Sequence, residues 1–223
     1  MGNSLPPCGP FRQPPAPAAP PLSNPARRRH LGARRRTARR RPTDNQTRKM
    51  IRTVDIYRKH SPPDPAVPRP VKVSQVTFAD LAEPHSMNVA GTLFGGTILG
   101  FIDRAAAFCA MKHAGRPVVT KNMDSVEFNE PIYIGELVVA MASVNYAGTT
   151  SMEVGIKVMA QNPITGEERH TNTCYATFVA LDEDGRPTRI PQVLPETDDE
   201  KRRYEAGRQR RDERLSRRRH LKA

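Results

Sequence analysis

The chain has 223 residues, and its 36 lysines and arginines outnumber 23 acidic residues to give a formal net charge of +13 at pH 7. The excess lies at the ends, because residues 1–70 hold 16 basic and 3 acidic side chains, whereas residues 71–195 hold 9 basic and 13 acidic ones. A strongly basic composition is typical of nucleic-acid-binding proteins. Here it describes only the tails, so nucleic acid is not the expected partner of the central region.

Residues 1–70 contain 15 of the 22 prolines and three runs of arginine, and they show little apolar periodicity. Such a composition cannot bury enough apolar surface to offset the entropy lost on folding. We therefore predict a disordered basic N-terminal tail over residues 1–70. Arginine runs also suit contacts with nucleic acid or anionic lipid, but solvated disorder without a dedicated partner is the favoured interpretation.

A folded domain is predicted over residues 71–190, where apolar and polar residues begin to alternate. A first strand at 71–81 leads through a turn-rich loop into a long apolar helix within residues 88–113, and Gly115 and Pro117 stop that helix. Four further strand-like segments, joined by short turns, follow at 118–128, 136–148, 149–161 and 169–181.

A helix that is apolar on nearly all sides must be buried, and strands joined by hairpins form an antiparallel sheet. The predicted fold class is therefore α+β, with one long central helix wrapped by a five- or six-stranded antiparallel sheet, which is the hotdog fold. A single sheet leaves its own edge and one flank of the helix uncovered. We therefore expect a homodimer, with a higher homo-oligomer such as a trimer of dimers built from it.

Residues 191–223 are predicted to form a charged C-terminal helix or tail. Their acidic residues precede their basic ones, which is the order that the helix dipole favours. Few of these residues are apolar, so a solvated helix is expected, with a basic binding arm as the alternative.

The cysteines and the lack of a long apolar run indicate the cellular compartment of the protein. Cys8, Cys109 and Cys174 are too widely spaced for a disulfide framework or a zinc motif. Cys109 and Cys174 lie in apolar segments and are expected to be packing residues. The sequence shows no secretory signal and no transmembrane run. A cytoplasmic protein without a metal site is the expectation.

Asp103 is an anomaly within the apolar helix. Its neighbours three and four residues away are Leu99, Gly100, Ala106 and Ala107. A carboxylate on an apolar face is costly unless it is paired or functional. Asp103 is therefore either a catalytic group or the buried partner of a basic residue.

The pattern of Asn88, Gly91, Phe94, Gly95 and Gly96, with Asp103 seven residues further on, resembles the acyl-CoA thioester hydrolases of the hotdog superfamily. Similar stretches follow at 115–120, 126–138 and 148–154, so that the resemblance covers about residues 71–190. It implies hydrolysis of an acyl-CoA to a free acid and CoA. It implies no separate cofactor, because CoA is part of the substrate.

The resemblance also implies the roles of four residues. Asp103 would be the general base or nucleophile, and Asn88 would orient the water or the thioester carbonyl. Gly95 and Gly96 lie at the helix start, where free N–H groups can hold the oxyanion that develops on the carbonyl. In such dimers Asn88 and Asp103 come from opposite protomers, so the site is complete only in the oligomer.

Further residues are implied to contact the substrate or its CoA moiety, namely Gly91, Phe94, Gly148, Thr149, Thr150 and Ser151. For Thr149, Thr150 and Ser151, an ordinary hairpin made of β-forming residues is an equal alternative. Gly95 and Gly96 could instead be points of close packing between the helix and the sheet. Some relatives carry arginine where this chain has Thr149, which leaves the contacts to the CoA phosphates unassigned.

Two other functions remain open from the sequence. The first is a non-catalytic acyl-CoA-binding sensor whose basic tails bind nucleic acid, although residues 1–70 show no helical periodicity for a recognition helix. The second is a hydratase or dehydratase acting on enoyl-CoA, which would pair an aspartate with a histidine. His113 follows Asp103 only after ten residues and on a different helix face.

Overall fold

The computed structural model describes residues 61–124 and 126–220. The predicted tail over residues 1–70 therefore lies outside the described residues except for its last ten. The elements follow in chain order: β1 (Arg69–Pro70), β2 (Val76–Leu81), α1 (Gly95–Ala114), β3 (Val118–Met123), β4 (Leu137–Ala147), β5 (Ser151–Gln161), β6 (Glu168–Ala180), β7 (Val193–Leu194) and α2 (Asp198–His220). Single turns of 3-10 helix lie at Val71–Val73 and Pro84–Ser86.

Five strands form one antiparallel sheet in the order β2-β4-β5-β6-β3. The two long hairpins β4–β5 and β5–β6 make its centre, as the alternating pattern predicted. The strand predicted over residues 118–128 ends at Met123, and a register irregularity between Thr120 and Asn122 interrupts its pairing with β6. The hotdog arrangement predicted from the sequence is confirmed.

Helix α1 packs on the concave face of this sheet through Phe101, Ile102, Ala105, Ala106 and Cys109, which are buried. A stripe on the opposite side of the helix is exposed in the single chain: Gly96, Leu99, Gly100, Arg104 and Phe108. We call these residues the exposed stripe of α1. The helix is thus buried on one side only, and its apolar outer side requires a second cover.

The helix ends where the chain before β1 crosses it. Gly115 has a φ of 60° and its N–H donates to Met111 O at 2.8 Å, which is the left-handed cap that favours glycine. A Cβ at this position would also collide with the ring of Pro63. Arg69 donates to the carbonyls of Lys112 and His113 at 2.8 and 2.7 Å. Residues 61–70, which the sequence interpretation placed in the tail, therefore pack against the folded domain.

Helix α2 packs on the convex face of the sheet. Gly207 is buried there, and a Cβ at this position would lie only 3.0 Å from Glu153 Oε1 and 3.3 Å from the Asn145 Cβ, which is a tight contact. Tyr204 contacts Tyr146 with ring centroids 5.1 Å apart. The prediction of a helix was right, but the prediction that it is solvated all round was wrong.

Candidate active site

A hydrogen bond between helix α1 and strand β3 holds Asp103. Thr120 Oγ1 donates to Asp103 Oδ1 at 2.7 Å. Asp103 is half-buried beside the exposed stripe of α1, and Thr120 is exposed on β3, so the pair is open at the surface of the single chain. Sequence reasoning assigned Thr120 no role, although it ends the matching stretch 115–120.

The alternative explanation of Asp103, as the buried partner of a base, does not fit the surrounding contacts. The adjacent Arg104 turns away to Asp80, 3.9 Å from its carboxylate, and lies 5.7 Å from the Phe78 ring centroid. His113 is also directed away, because it is buried and its Nε2 lies 3.1 Å from Pro191 O. An Asp–His pair on this helix, as a hydratase would need, is therefore not formed within the described chain.

The first turn of α1 presents free backbone donors. Phe94 occupies the N-cap position without a side-chain cap, and its carbonyl accepts from the N–H groups of Thr97 and Ile98. Among the described residues no acceptor is found for the N–H groups of Gly95 and Gly96. Two free N–H groups at the positive end of a helix dipole suit a developing oxyanion.

A cavity of about 330 Å³ lies beside this helix start. It is lined by Asn88, Thr92, Leu93, Gly95, Ile98, Phe128, Asn129, Glu130, Pro131 and Ile132. Its volume is within the range of small-molecule sites, at the lower end. The Phe128 ring lies 3.5 Å from the point where a Cβ on Gly95 would sit, so this ring forms one wall next to the glycine.

Asn88 is held in a turn at the edge of this cavity. Its Oδ1 accepts from the N–H groups of Ala90 and Thr92 at 2.8 and 3.2 Å, and its Nδ2 donates to Thr92 Oγ1 at 2.9 Å. These contacts fix the amide plane and use one of the two Nδ2 hydrogens. The other Nδ2 hydrogen can serve a ligand. Gly91, with a φ of 77°, closes the same turn.

Within one chain, Asp103 and the helix start form two separate groups. Asp103 follows Gly95 by eight residues, which corresponds to about 12 Å along a helix axis. It is not among the residues that line the cavity beside Asn88. A single chain therefore does not bring the predicted base to the predicted oxyanion donors.

The predicted CoA-binding turn lies at the β4–β5 hairpin. Gly148 N–H donates to Ser151 O at 2.7 Å, and Thr149 and Thr150 carbonyls accept from Ile190 and Ala180. Ser151 lines a second cavity of about 230 Å³ on the convex side of the sheet. Lys121, the residue after Thr120, and Arg211 from α2 line the same cavity.

A metal-binding cluster of three or more His, Cys, Asp or Glu side chains is not found in the described ranges. Over those same ranges, neither helix has the length and hydropathy needed to cross a bilayer.

Comparison with known proteins places this fold in a class. Residues 90–167 match the family model of the thioesterase superfamily. The chain is 40% identical over 152 residues to YkhA of Bacillus subtilis, an uncharacterized acyl-CoA thioester hydrolase, covering 68% of this chain and 88% of that protein. It is 41% identical over 139 residues to the protein VdlD of Helicobacter pylori, covering 62% and 79%.

Solved structures agree with this assignment. An acyl-CoA hydrolase of Staphylococcus aureus, in complex with butyryl-CoA and CoA, is 40% identical with a TM-score of 0.65 and covers 69% of this chain and 94% of its own. A hexameric acyl-CoA thioesterase is 41% identical with a TM-score of 0.65, covering 68% and 97%. This chain belongs to the acyl-CoA thioester hydrolases of the thioesterase superfamily.

Variants of the S. aureus hydrolase provide one further comparison. Its solved structures include alanine substitutions of an asparagine, an aspartate and a threonine. In that protein the aspartate follows the asparagine by 15 positions and the threonine follows the aspartate by 17. The same intervals separate Asn88, Asp103 and Thr120 in this chain.

Proposed function

We propose that this chain hydrolyses acyl-CoA thioesters to the free acid and CoA, with Asp103 as the general base or nucleophile. The observation that carries the proposal is the Asp103 carboxylate, which Thr120 holds at 2.7 Å on the open side of α1. A carboxylate kept accessible in this way can take a proton from water or attack the thioester carbonyl. Water adds its hydroxyl to the acyl carbon, and the C–S bond breaks to release CoA as the thiol.

The helix start supplies the other half of the proposed site. The N–H groups of Gly95 and Gly96 would hold the carbonyl oxygen as it gains charge, and the free Nδ2 hydrogen of Asn88 would orient the carbonyl or the water. Gly91 and Phe94 would shape the entrance for the acyl-bearing end of the substrate. The cavity walls beside Gly95 would exclude water from the reacting carbonyl.

These two halves come together between protomers in this proposal. The 12 Å separation along α1 prevents Asp103 from reaching the helix start of its own chain, by the helical rise of about 1.5 Å per residue. The exposed stripe of α1 next to Asp103 is the surface that a second copy would cover. One partner's helix start would then face Asp103, and three such dimers would make a hexamer, which is the oligomer named for one solved relative.

The CoA end of the substrate is proposed to run toward the turn residues 148–151. Backbone groups of Gly148, Thr149 and Thr150 and the Ser151 hydroxyl would line its path. Because Thr149 provides no charge, Lys121 and Arg211 are the proposed cations for the CoA phosphates.

The decisive experiment follows release of free thiol with a disulfide reagent across acyl-CoAs from acetyl to palmitoyl. Asp103→Asn keeps the shape of the side chain and is expected to lower kcat by roughly three orders of magnitude or more, on the scale of essential catalytic groups. Asp80→Asn is the matched control, because Asp80 is an exposed aspartate whose partners are Arg104 and the backbone N–H of Leu81. Near-wild-type turnover by Asp103→Asn would refute its role, and binding of acyl-CoA without cleavage by the wild type would favour the sensor.

The shared site is tested by mixing two inactive variants. Asn88→Ala protomers and Asp103→Asn protomers, unfolded and reassembled together, would form mixed dimers in which one of the two sites has both residues intact. Statistical pairing of equal amounts predicts about a quarter of wild-type activity. No recovery in verified mixed oligomers would place both residues in the same protomer's site.

A further inference from the structure

A charged cluster joins α2 to the convex face of the sheet. Its centre is the Glu153 carboxylate on β5, which is 1% exposed. Arg210 and Arg214, one helical turn apart on α2, both donate to it, at 2.7 and 3.1 Å. The Arg210 guanidinium also lies 3.6 Å from the centroid of the Tyr175 ring. A buried carboxylate with two bound guanidinium groups fixes α2 against the sheet.

Arg214 has a second partner that Arg210 lacks. Its Nη1 donates to Asp124 Oδ2 at 3.0 Å, while the side chains of both residues are largely shielded from solvent. Asp124 directly follows β3, and its backbone N–H donates to Tyr175 O at 2.9 Å. Its other carboxylate oxygen accepts from Asn122 Nδ2 at 2.8 Å. The Asp124 side chain is therefore held between the end of β3 and the C-terminal helix.

The segment that follows Asp124 forms a wall of the cavity at the start of α1. Its backbone is attached to β6 at two points, because Asn172 Nδ2 donates to Glu127 O at 2.5 Å and Asn129 N–H donates to Thr171 O at 3.1 Å. Phe128 lies between these two points and projects its ring toward Gly95. The ring is therefore held by these two contacts to β6, and Asp124, whose carboxylate Arg214 binds, lies just before this segment in the chain.

We propose that Arg214 is a positioning residue for substrate binding. Arg214 holds the Asp124 side chain. In this proposal, that contact fixes the position of residues 126–131 and therefore the shape of the cavity beside Gly95 and Asn88. The C-terminal helix thus acts on the cavity at the start of α1 from the opposite face of the sheet, in addition to lining the cavity proposed for the CoA phosphates. This inference rests on the proposed function of that cavity, and it assigns no chemical step to Arg214.

The test compares Arg214→Met, Arg214→Lys and Arg217→Met in the full chain. Arg217 is the matched control, because it is an exposed arginine three residues further along α2 whose partner is Glu213 at 3.7 Å. Arg214→Met is expected to raise KM for the best acyl-CoA of the series about fivefold and to leave kcat within about twofold, because ground-state contacts change while Asp103 and Thr120 do not. Arg214→Lys should recover most of the KM, and Arg217→Met should match the wild type.

Three further measurements separate the contact between Arg214 and Asp124 from simple attachment of the helix. Asp124→Asn combined with Arg214→Met should raise KM no more than either change alone, since both remove one contact. Hydrogen exchange at the Asn129 amide should be faster in Arg214→Met than in Arg217→Met. Arg210→Met, which weakens the Glu153 contact but not the Asp124 contact, should raise KM less than Arg214→Met.

The results distinguish the two proposals. An unchanged KM together with unchanged exchange in Arg214→Met would overturn the positioning role while leaving the hydrolase intact. An equal rise in KM for Arg210→Met would show that helix attachment, and not Asp124, is responsible. If the wild type cleaved no acyl-CoA, the proposed function would fail, and the exchange rates would still decide whether Arg214 holds the segment.

Discussion

Replacing Thr120 by valine is the sharpest test of the proposed role of the hydrogen bond between Thr120 and Asp103. Valine keeps the branched shape that suits strand β3 and removes only the hydroxyl. Thr120 Oγ1 donates to Asp103 Oδ1 at 2.7 Å, which is a short hydrogen bond to an acceptor that is charged when the carboxyl is ionised. Without it, the carboxylate is free to rotate away from the reacting carbonyl.

The size of the effect follows from that one bond. Hydrogen bonds to charged groups contribute about 1.5–3 kcal/mol, and the open position of the pair argues for the lower value. Since about 1.4 kcal/mol corresponds to a factor of ten in rate, kcat should fall roughly tenfold. KM should change little, because Thr120 lies on the Asp103 side of the site and not in the cavity at the helix start.

The assay is steady-state thiol release with the preferred acyl-CoA. Thr120→Ser keeps the hydroxyl and should retain most of the activity, whereas Thr77→Val, an exposed threonine on β2, should match the wild type. Equal kcat for Thr120→Val and the wild type, with both correctly assembled, would refute the view that this bond prepares Asp103. A fall of the size seen for Asp103→Asn would show that Thr120 has a direct role in the reaction.

Two predictions concern buried titratable groups. Burial raises the pKa of Cys109 to about 12 and that of Cys174 to about 11. A Cys8→Ser variant should therefore show no fast-reacting thiol at pH 8 when native and two when unfolded. Fast reaction of the native variant with a thiol reagent would contradict the burial of these two cysteines. Burial lowers the pKa of His113 below its ordinary 6.5. As the pH falls, the unfolded chain therefore binds a proton at this histidine at a higher pH than the folded protein does. Its contribution to stability is therefore complete above about pH 6.5 and is lost as the pH falls toward the folded-state pKa. His113→Gln should flatten the dependence of Tm on pH between 5 and 7. Parallel curves of Tm against pH for the variant and the wild type would exclude His113 as the cause of that dependence.

The central fold was predictable because each element has a strong local signal. The alternation over 149–161 and 169–181 corresponds closely to β5 (Ser151–Gln161) and β6 (Glu168–Ala180). The helix stop at Gly115 was visible because few other residues accept its backbone conformation. The first strand was predicted from Val71 but begins at Val76, since Ser74 donates its hydroxyl and N–H to Val71 O and closes a 3-10 turn instead.

The candidate site was predictable only where a residue conflicted with its surroundings. Asp103 was singled out because a carboxylate on an apolar helix needs a reason. Thr120 gave no such signal, because a threonine is ordinary in a strand and its contact spans 17 residues. The packing of residues 61–70 was hidden for a similar reason: the prolines there indicated disorder, whereas Pro63 and Arg69 bind one particular helix end.

The docking of α2 shows how a highly charged helix can be held on a sheet without an apolar face. Glu153 lies at an outward-facing position of β5, where a charge normally indicates solvent, and Arg210 and Arg214 lie on a helix whose composition also indicates solvent. The Glu153 carboxylate can be buried because the two guanidinium groups neutralise it, and the guanidinium groups can be shielded from water because the carboxylate binds them. The central region carries an acidic excess and residues 196–223 carry 11 basic against 7 acidic side chains, so the two parts are complementary in sign. Sequence patterns describe each segment alone, and for that reason they indicated a free tail where two charged surfaces bind each other.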